Sequence, residues 1–409
     1  MEYDILKLED VILLEDKKRK PLSTMERSKR KGIYPYYGAQ EIIDSIDDYI
    51  FDGKYILLAE DGENLKSRKK DLVKIVKGKF WLNNHAHIFK AKENVDLEYL
   101  YYYLLRMDLS EYITGSTQPK LNQGNMNKIQ IKLPELKLQK KISKILSNID
   151  KKIELNSEIN NNLLEQNKIL YYDWFVKFNF EYNGKKYKES NGEMINSEYG
   201  PIPKNWSFKR IDEMNLDISD GNYSSKYPTK QEFKDEGIPF IRGTDFIGYS
   251  ISNKSLMFIT PEKHSILKKG HLKKNDILIT TRGEIGRIAF VSDDFIDANI
   301  NAQLIRINGG SMYPRSFLGT ALISEHIQND IQSLVTGTAL QQLPVGKFNQ
   351  IKFLIPDDHK IIEKFDFYAE SNLKLIQVNE KENKLLEQLR DTLLPKLMNG
   401  EIDLDNIEL

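Results

Sequence analysis

Gly337-Thr338-Ala339-Leu340-Gln341-Gln342-Leu343-Pro344-Val345-Gly346-Lys347-Phe348-Asn349-Gln350-Ile351-Lys352-Phe353-Leu354-Ile355-Pro356-Asp357 repeats the pattern of residues 115–135, 222 positions further on. Leu121, Gly124, Asn127, Ile129 and Pro134 recur as Leu343, Gly346, Asn349, Ile351 and Pro356. At the same offset Leu163-Leu164-Glu165-Gln166 recurs as Leu385-Leu386-Glu387-Gln388. A second block, Tyr55 to Glu63, matches Asp276 to Glu284 at an offset of 221. Similarity at a nearly fixed offset marks a duplicated structural unit, so the fold is read as two copies of one design.

Working outward, each copy begins with a mixed region of short apolar strands, closed by Ile129–Pro134 or Ile351–Pro356, and continues into a long helix. In the first helix Ile142, Ile149, Asn156, Leu163 and Leu170 recur every seven residues, with Ile145 and Ile159 interleaved. That is a heptad stripe, with Asn156 as a polar core position of the kind that fixes register. In the second, Phe365, Tyr368, Leu375, Val378, Leu385, Leu386, Leu389 and Leu393 share a side before Pro395 is expected to stop the helix. A helix of about 36 residues is roughly 50 Å long. Being polar on most faces it needs a partner for its stripe, and the other copy's helix is the economical one.

Residues 178–205, rich in Asn, Gly, Lys and Glu, read as a linker. The expected class is therefore α/β (α+β) with an internal repeat: globular domains at 1–134 and 206–357, long helices at 135–177 and 358–395, and a tail at 396–409.

The 409 residues are more than one core usually serves. Cysteine is absent, which removes disulfides and thiolate metal sites and fits a reducing cytoplasm. The start, Met1-Glu2-Tyr3-Asp4, lacks the basic stretch and apolar run of a signal peptide, and no apolar run reaches the roughly 20 residues that span a bilayer. The expected location is cytoplasmic, with no membrane. Sixty basic residues balance sixty acidic ones, so any attraction for nucleic acid has to be local.

Three stretches then resemble family signatures: Asp173-Trp174-Phe175-Val176-Lys177-Phe178, Gly200-Pro201-Ile202-Pro203-Lys204-Asn205-Trp206, and the segment from Leu389 to Ile402 that holds Leu393-Leu394-Pro395. With the duplication they resemble the specificity subunits of type I restriction–modification systems over nearly the whole chain. The resemblance implies two target-recognition domains separated by an antiparallel coiled coil, related by a pseudo-twofold repeat. It implies a protein that binds double-stranded DNA at a split asymmetric target, with the coiled coil setting the unread spacer. The implied partners are two methyltransferase subunits, docked through segments holding Trp174, Phe175, Leu393 and Leu394, and motor-nuclease subunits. S-adenosylmethionine, ATP and Mg would sit on those partners, none on this chain. The alternative is the specificity component of another restriction class, with a combined methyltransferase-nuclease partner.

No catalytic motif contradicts a non-catalytic role. The Asn/Asp-Pro-Pro-aromatic loop of adenine methyltransferases and the phosphate-cradling loop of ATPases are absent. Pro356-Asp357-Asp358-His359-Lys360 superficially resembles a nuclease element, but it lies in a turn, and Pro134-Glu135-Leu136-Lys137 fills the same place in the other copy. His85 and His87 have same-face strand spacing, yet lack a third ligand nearby in sequence.

Phosphate contact calls for basic clusters and base reading for Asn, Gln and Arg. The densest cluster is Lys17, Lys18, Arg19 and Lys20 with Arg27, Lys29, Arg30 and Lys31; a second is Lys66, Arg68, Lys69 and Lys70, with Lys120 in a later loop. The second copy offers Lys226, Lys230, Arg242, Arg282 and Arg287. For base edges, Asn299, Asn301 and Gln303 alternate as if along one strand face, with Asn83, His85 and His87 at the comparable place, and Gln341 and Gln342 lie in a loop. A charge run is more often a plain solvated face, and polar loops more often serve turns.

Overall fold

A computed structural model describes residues 3–404 except Gln40, Lys69, Ser116, Asn183, Asn191, Ser224 and Ser225. Two long helices, Leu136–Tyr171 and Lys360–Met398, dominate it. The chain divides into two compact units: Met1–Leu155 with Glu382–Leu409, and Asn156–Lys381. Each unit therefore takes one globular portion and one stretch of both long helices. Strands that are mostly antiparallel, with helices packed on them, make an α+β fold. Among the described residues no helix is long and apolar enough to cross a membrane.

In the first unit a six-stranded sheet runs in the order Ile12–Leu14, Ala86–Ala91, Phe51–Ala59, Val73–Leu82, Lys31–Tyr37, Ile42–Ile46. Tyr55, Ile56, Leu57, Leu58 and Ala59 are all buried, so the central strand is covered on both faces. A continuous apolar run suits that position where strict alternation would not. The helix Leu97–Arg106, capped by the Asp96 carboxylate on the Tyr99 amide, supplies Tyr99, Leu100, Tyr102 and Leu104 to the same core as Ile142, Leu146, Leu394 and Leu397.

In the second unit a four-stranded antiparallel sheet runs Asp217–Asp220, Leu304–Asn308, Ile277–Thr280, Ile288–Phe290. A three-stranded sheet, Met257–Ile259, Ile238–Ile241, Asn299–Ile300, lies beside it in the chain order of the same unit. Residues 178–205, expected as a linker, form short hairpins, and Phe178, Phe180, Tyr187 and Ile202 are buried in the core with Trp206. Five aromatic residues in that segment outweigh its turn formers, because each large ring removed from water contributes more than a turn costs.

The duplication extends to hydrogen bonds. Asp4–Lys7 pairs antiparallel with Gln130–Leu133, as Trp206–Arg210 does with Lys352–Pro356. Leu8 N–H donates to Ile129 C=O in one copy and Ile211 N–H to Ile351 C=O in the other.

The long helices pair antiparallel within each unit. In the first, Arg390 Nη1 donates to Asp150 Oδ1 at 2.8 Å and Lys152 meets Glu382 at 3.2 Å. In the second, Asn379 Nδ2 donates to Asn160 Oδ1 at 2.8 Å and Asn372 Nδ2 to Asn167 Oδ1 at 2.8 Å. Polar pairs thus interrupt helix faces that also bury Leu164, Ala369 and Leu373. The expected apolar side of the second helix is not the paired face: Tyr368, Leu375, Val378, Leu385 and Leu389 are exposed, while Phe365 is buried. On the first helix Ile142, Ile149 and Asn156 are buried as the heptad predicts; Leu163, Leu170, Ile145 and Ile159 are half-buried. Pro395 does not stop the second helix, which runs on to Met398. One backbone bond is lost there, but Leu394, Leu397 and Met398 are buried and hold the last turns in the core.

Candidate nucleic-acid interface

One arrangement of three backbone segments is built in both units. In the first, Glu60 N–H donates to His85 C=O, Leu121 N–H donates to Glu60 C=O, and Lys120 bridges to Thr114 and Asp61. In the second, Thr281 N–H donates to Gln303 C=O, Leu343 N–H donates to Thr281 C=O, and Gln342 bridges to Thr336 and Arg282. Asn83 and Asn301 do the same work: each Oδ1 accepts the amide two residues on, His85 or Gln303. The comparable positions are therefore Asn83 with Asn301 and His85 with Gln303, two residues from the register that the sequence suggested. His87 corresponds to the interior of the strand Leu304–Asn308, not to Gln303.

These turns decide which expected residues reach solvent. Asn301 and Asn83 are buried turn formers, and Asn299 is buried with its Oδ1 against His264 Nδ1 at 2.5 Å. The strand holding Asn299 ends at Ile300, so the three-residue alternation does not present one polar face. Gln303, Gln341 and His85 are exposed. His85 Nδ1 faces the Asp61 carboxylate at 2.9 Å. His87 is buried between Asp16, at 2.6 Å, and Leu121 C=O, at 2.7 Å, so the two histidines do not share a face.

Arg282 is exposed, and its Nη2 donates to Gln342 Oε1 at 2.9 Å. With Asp220 and Tyr223 they line a cavity whose floor is Leu304 and Leu343. Tyr223 is fixed there by its hydroxyl, which donates to Ala302 C=O at 2.6 Å. Tyr223 was missed in sequence because a lone tyrosine beside Asn222 carries no periodic signal. A guanidinium joined to a carboxamide presents several donors and an acceptor together, the chemistry that matches purine edges.

The basic residues differ in exposure and in pairing. Lys17, Lys18, Lys20, Lys66, Lys120 and Lys226 are exposed, Lys18 pairing with Glu15 at 2.8 Å and Lys120 with Glu60 at 3.1 Å, and Lys69 lies outside the described residues. Arg19 is committed: it meets Asp16 at 3.2 Å and Glu60 at 2.7 Å, and donates to Ala86 C=O. Burial pushes the Glu60 carboxyl up, but Arg19, His87 and Lys120 outweigh it and hold it below the ordinary carboxylate range. Arg30 lies over the Trp81 ring and pairs with Asp47; Arg68 pairs with Asp108. Arg242 grips Asp245 through two nitrogens, which raises its own pKa, and Arg287 donates to Phe246 C=O. Both brace loops.

Of the expected docking residues, Phe175 and Leu394 are core. Phe175 is packed among Tyr171, Trp206, Phe317 and Phe365, and Leu394 is fully buried. Trp174 and Leu393 are half-buried. The exposed apolar groups in these regions are others: Tyr172 and Val176 after the first helix, and Phe367, Tyr368 and Val378 on the second. Asp358, from the nuclease-like element, accepts from Lys360 N–H and starts the second helix.

The family model described as type I restriction modification DNA specificity domain matches residues 1–165 and 203–388. This chain belongs to that family. A putative type I restriction enzyme specificity subunit of Haemophilus influenzae is 27% identical, over 95% of this chain and 94% of its own. The MjaIX specificity subunit of Methanocaldococcus jannaschii is 27% identical over 82% of this chain and 76% of its own. The crystal structure of a type I specificity subunit from M. genitalium has the same fold, with a TM-score of 0.55 over 97% of this chain and 96% of that one at 16% identity. Membership of the type I specificity family does not favour the alternative restriction class. The two family matches fall on the two copies that the repeat defines, and the three-segment turn recurs in both with different side chains.

Proposed function

We propose that this specificity subunit reads a split, asymmetric double-stranded DNA target, one half with each globular portion. The observation that carries the proposal is the shared three-segment turn with unlike occupants. Asp61, His85 and Lys120 fill it in the first unit; Arg282, Gln303 and Gln342 fill it in the second. One backbone frame bearing different base-edge chemistry reads two different sequences. Exposed lysines, among them Lys17, Lys18, Lys20 and Lys226, would hold phosphates, and affinity would fall as salt rises.

The chain acts by directing others. Two methyltransferase subunits dock on apolar side chains left exposed along the long helices, Tyr368 at 55% and Val378 at 62% among them. Motor-nuclease subunits complete the assembly. Adenine methylation from S-adenosylmethionine, and cleavage driven by ATP with Mg, belong to those partners.

Long-read methylation mapping tests this, comparing a host carrying the chain and its neighbouring methyltransferase with a deletion of this gene alone. Methylated adenines at one split, asymmetric motif should vanish with the deletion. An unchanged methylome in a host whose methyltransferase is expressed and active would overturn the reading.

A further inference from the structure

We propose that His264, His271 and Asp297, in the second unit, form a binding site for one divalent transition-metal ion. Three chain segments bring them together. Thr260 caps the helix Pro261–Ile266, its hydroxyl accepting Lys263 N–H, and His264 lies on that helix. His271 and Asp297 are held by a backbone pair, Asp297 N–H to Leu272 C=O and Leu272 N–H to Ala298 C=O, each 2.8 Å. Asp297 adopts φ of 66°, a left-handed conformation that aspartate accepts better than most residues.

His264 Nδ1 faces the side-chain oxygen of Asn299, and His271 Nε2 faces Leu267 C=O. The Leu267 carbonyl can only accept, so His271 Nε2 carries the hydrogen and its Nδ1 holds a lone pair. With the Asn299 oxygen toward His264 Nδ1, His264 Nε2 holds one as well. This is the arrangement in which an outer hydrogen bond fixes the tautomer of a ligating imidazole.

One ring nitrogen of each histidine and an Asp297 oxygen lie within 4.8 Å of one another. His264 Nε2 is 3.4 Å from Asp297 Oδ1, and His271 Nδ1 is 4.0 Å from it. Ligands about 2.0–2.1 Å from a tetrahedral zinc ion stand roughly 3.4 Å apart, so the first separation already fits. The second needs only a small shift of the His271 ring, which stacks on His264 with centroids 4.1 Å apart. His271 and Asp297 have room for it: their side chains are 34% and 71% exposed, against 13% for His264. Two imidazoles and one carboxylate suit zinc and its neighbours, with the outer position left to water.

A second cluster with the same residue types shows the contrast. Asp16, Glu60 and His87 also converge, but Arg19 and Lys120 already neutralise the carboxylates there. Among the described residues no cation reaches His264, His271 or Asp297. An ion bound there would tie helix Pro261–Ile266 to the segment leading into the Asn301–Gln303 turn, and would raise the thermal stability of the unit.

The test uses the full chain, free of any tag and stripped with chelator, titrated with zinc(II) by calorimetry and with cobalt(II) by absorption. One ion per chain is expected, with a four-coordinate cobalt spectrum and a higher melting temperature. Asp297→Asn, at an exposed position, and His271→Gln, at a half-buried one, should each weaken binding at least about tenfold. His326→Ala, removing an exposed histidine 3.9 Å from Asp330, should leave it unchanged. Failure of the folded wild-type chain to bind zinc stoichiometrically would overturn the proposal, as would binding that survives both substitutions or is lost with His326.

Discussion

Asn372 Nδ2 donates to Asn167 Oδ1 at 2.8 Å, and Asn167 Nδ2 in turn donates to Ala369 C=O at 3.0 Å, so a buried carboxamide is satisfied across the helix pair in both directions. A polar pair of this kind holds one register, since sliding either helix leaves a carboxamide unpaired in the interior.

Asn167→Leu should therefore destabilise the second unit by about 1 kcal/mol, since half-buried Asn372 would keep only the Leu163 carbonyl, at 3.5 Å. Replacing both residues by leucine should restore most of that loss, because no polar group is then left buried. Urea denaturation of the full chain measures both; a double variant no more stable than the single one would contradict the account.

Phe175 and Tyr368 should separate folding from docking. Phe175→Ala removes a ring packed against Tyr171, Phe317 and Phe365, and should cost about 3–5 kcal/mol. Tyr368→Ala alters an exposed side chain and should leave the melting temperature within about 2 °C. Co-purification with the methyltransferase should then fall for Tyr368→Ala although the protein is folded. Undiminished capture would remove Tyr368 from the docking surface.

The Glu60 carboxyl is held below its ordinary value in the folded chain by Arg19, His87 and Lys120. A lowered folded pKa means stabilisation that is fully present above the unfolded value, about 4.3, and is lost as pH falls through the folded one. Glu60→Gln should thus melt lower than wild type at pH 7, with the two curves converging below about pH 4. A gap that persists in acid would assign the effect to packing.

Arg282→Ala should change what the second half-site selects while the first half-site stays as it was. A good paired contact to one base is worth about 1–3 kcal/mol of discrimination. Relaxation at one position of the methylated motif is the expected pattern. Lys17→Ala should instead weaken binding evenly across sequences and lower the salt slope by about one. Relaxation in both halves on mutating Arg282 would refute the assignment.

Duplication, the two long helices and the closing strands at Ile129–Pro134 and Ile351–Pro356 were legible because they rest on local signals. Repeated residues, a seven-residue period and proline-bounded apolar runs survive in one dimension. Family resemblance was legible for the same reason. What the pattern could not give was which face of the second helix meets the first. Tyr368, Leu375, Val378, Leu385 and Leu389 look like a core stripe, and only the paired structure turns them outward and puts Asn372 and Asn379 in the seam.

The polar candidates divide in the same way. Composition marks Asn299, Asn301, Gln303 and Arg282 alike as groups able to read a base. Tertiary hydrogen bonds decide between them, because Asn301 must satisfy the Gln303 amide and Asn299 is enclosed beside His264, whereas Arg282 and Gln303 remain in solvent. The sequence by itself determined that this chain is a duplicated, two-helix specificity protein. Only the tertiary structure decided which of its polar and apolar side chains are free to meet a partner, since burial and hydrogen-bond partners come from segments far apart in the chain.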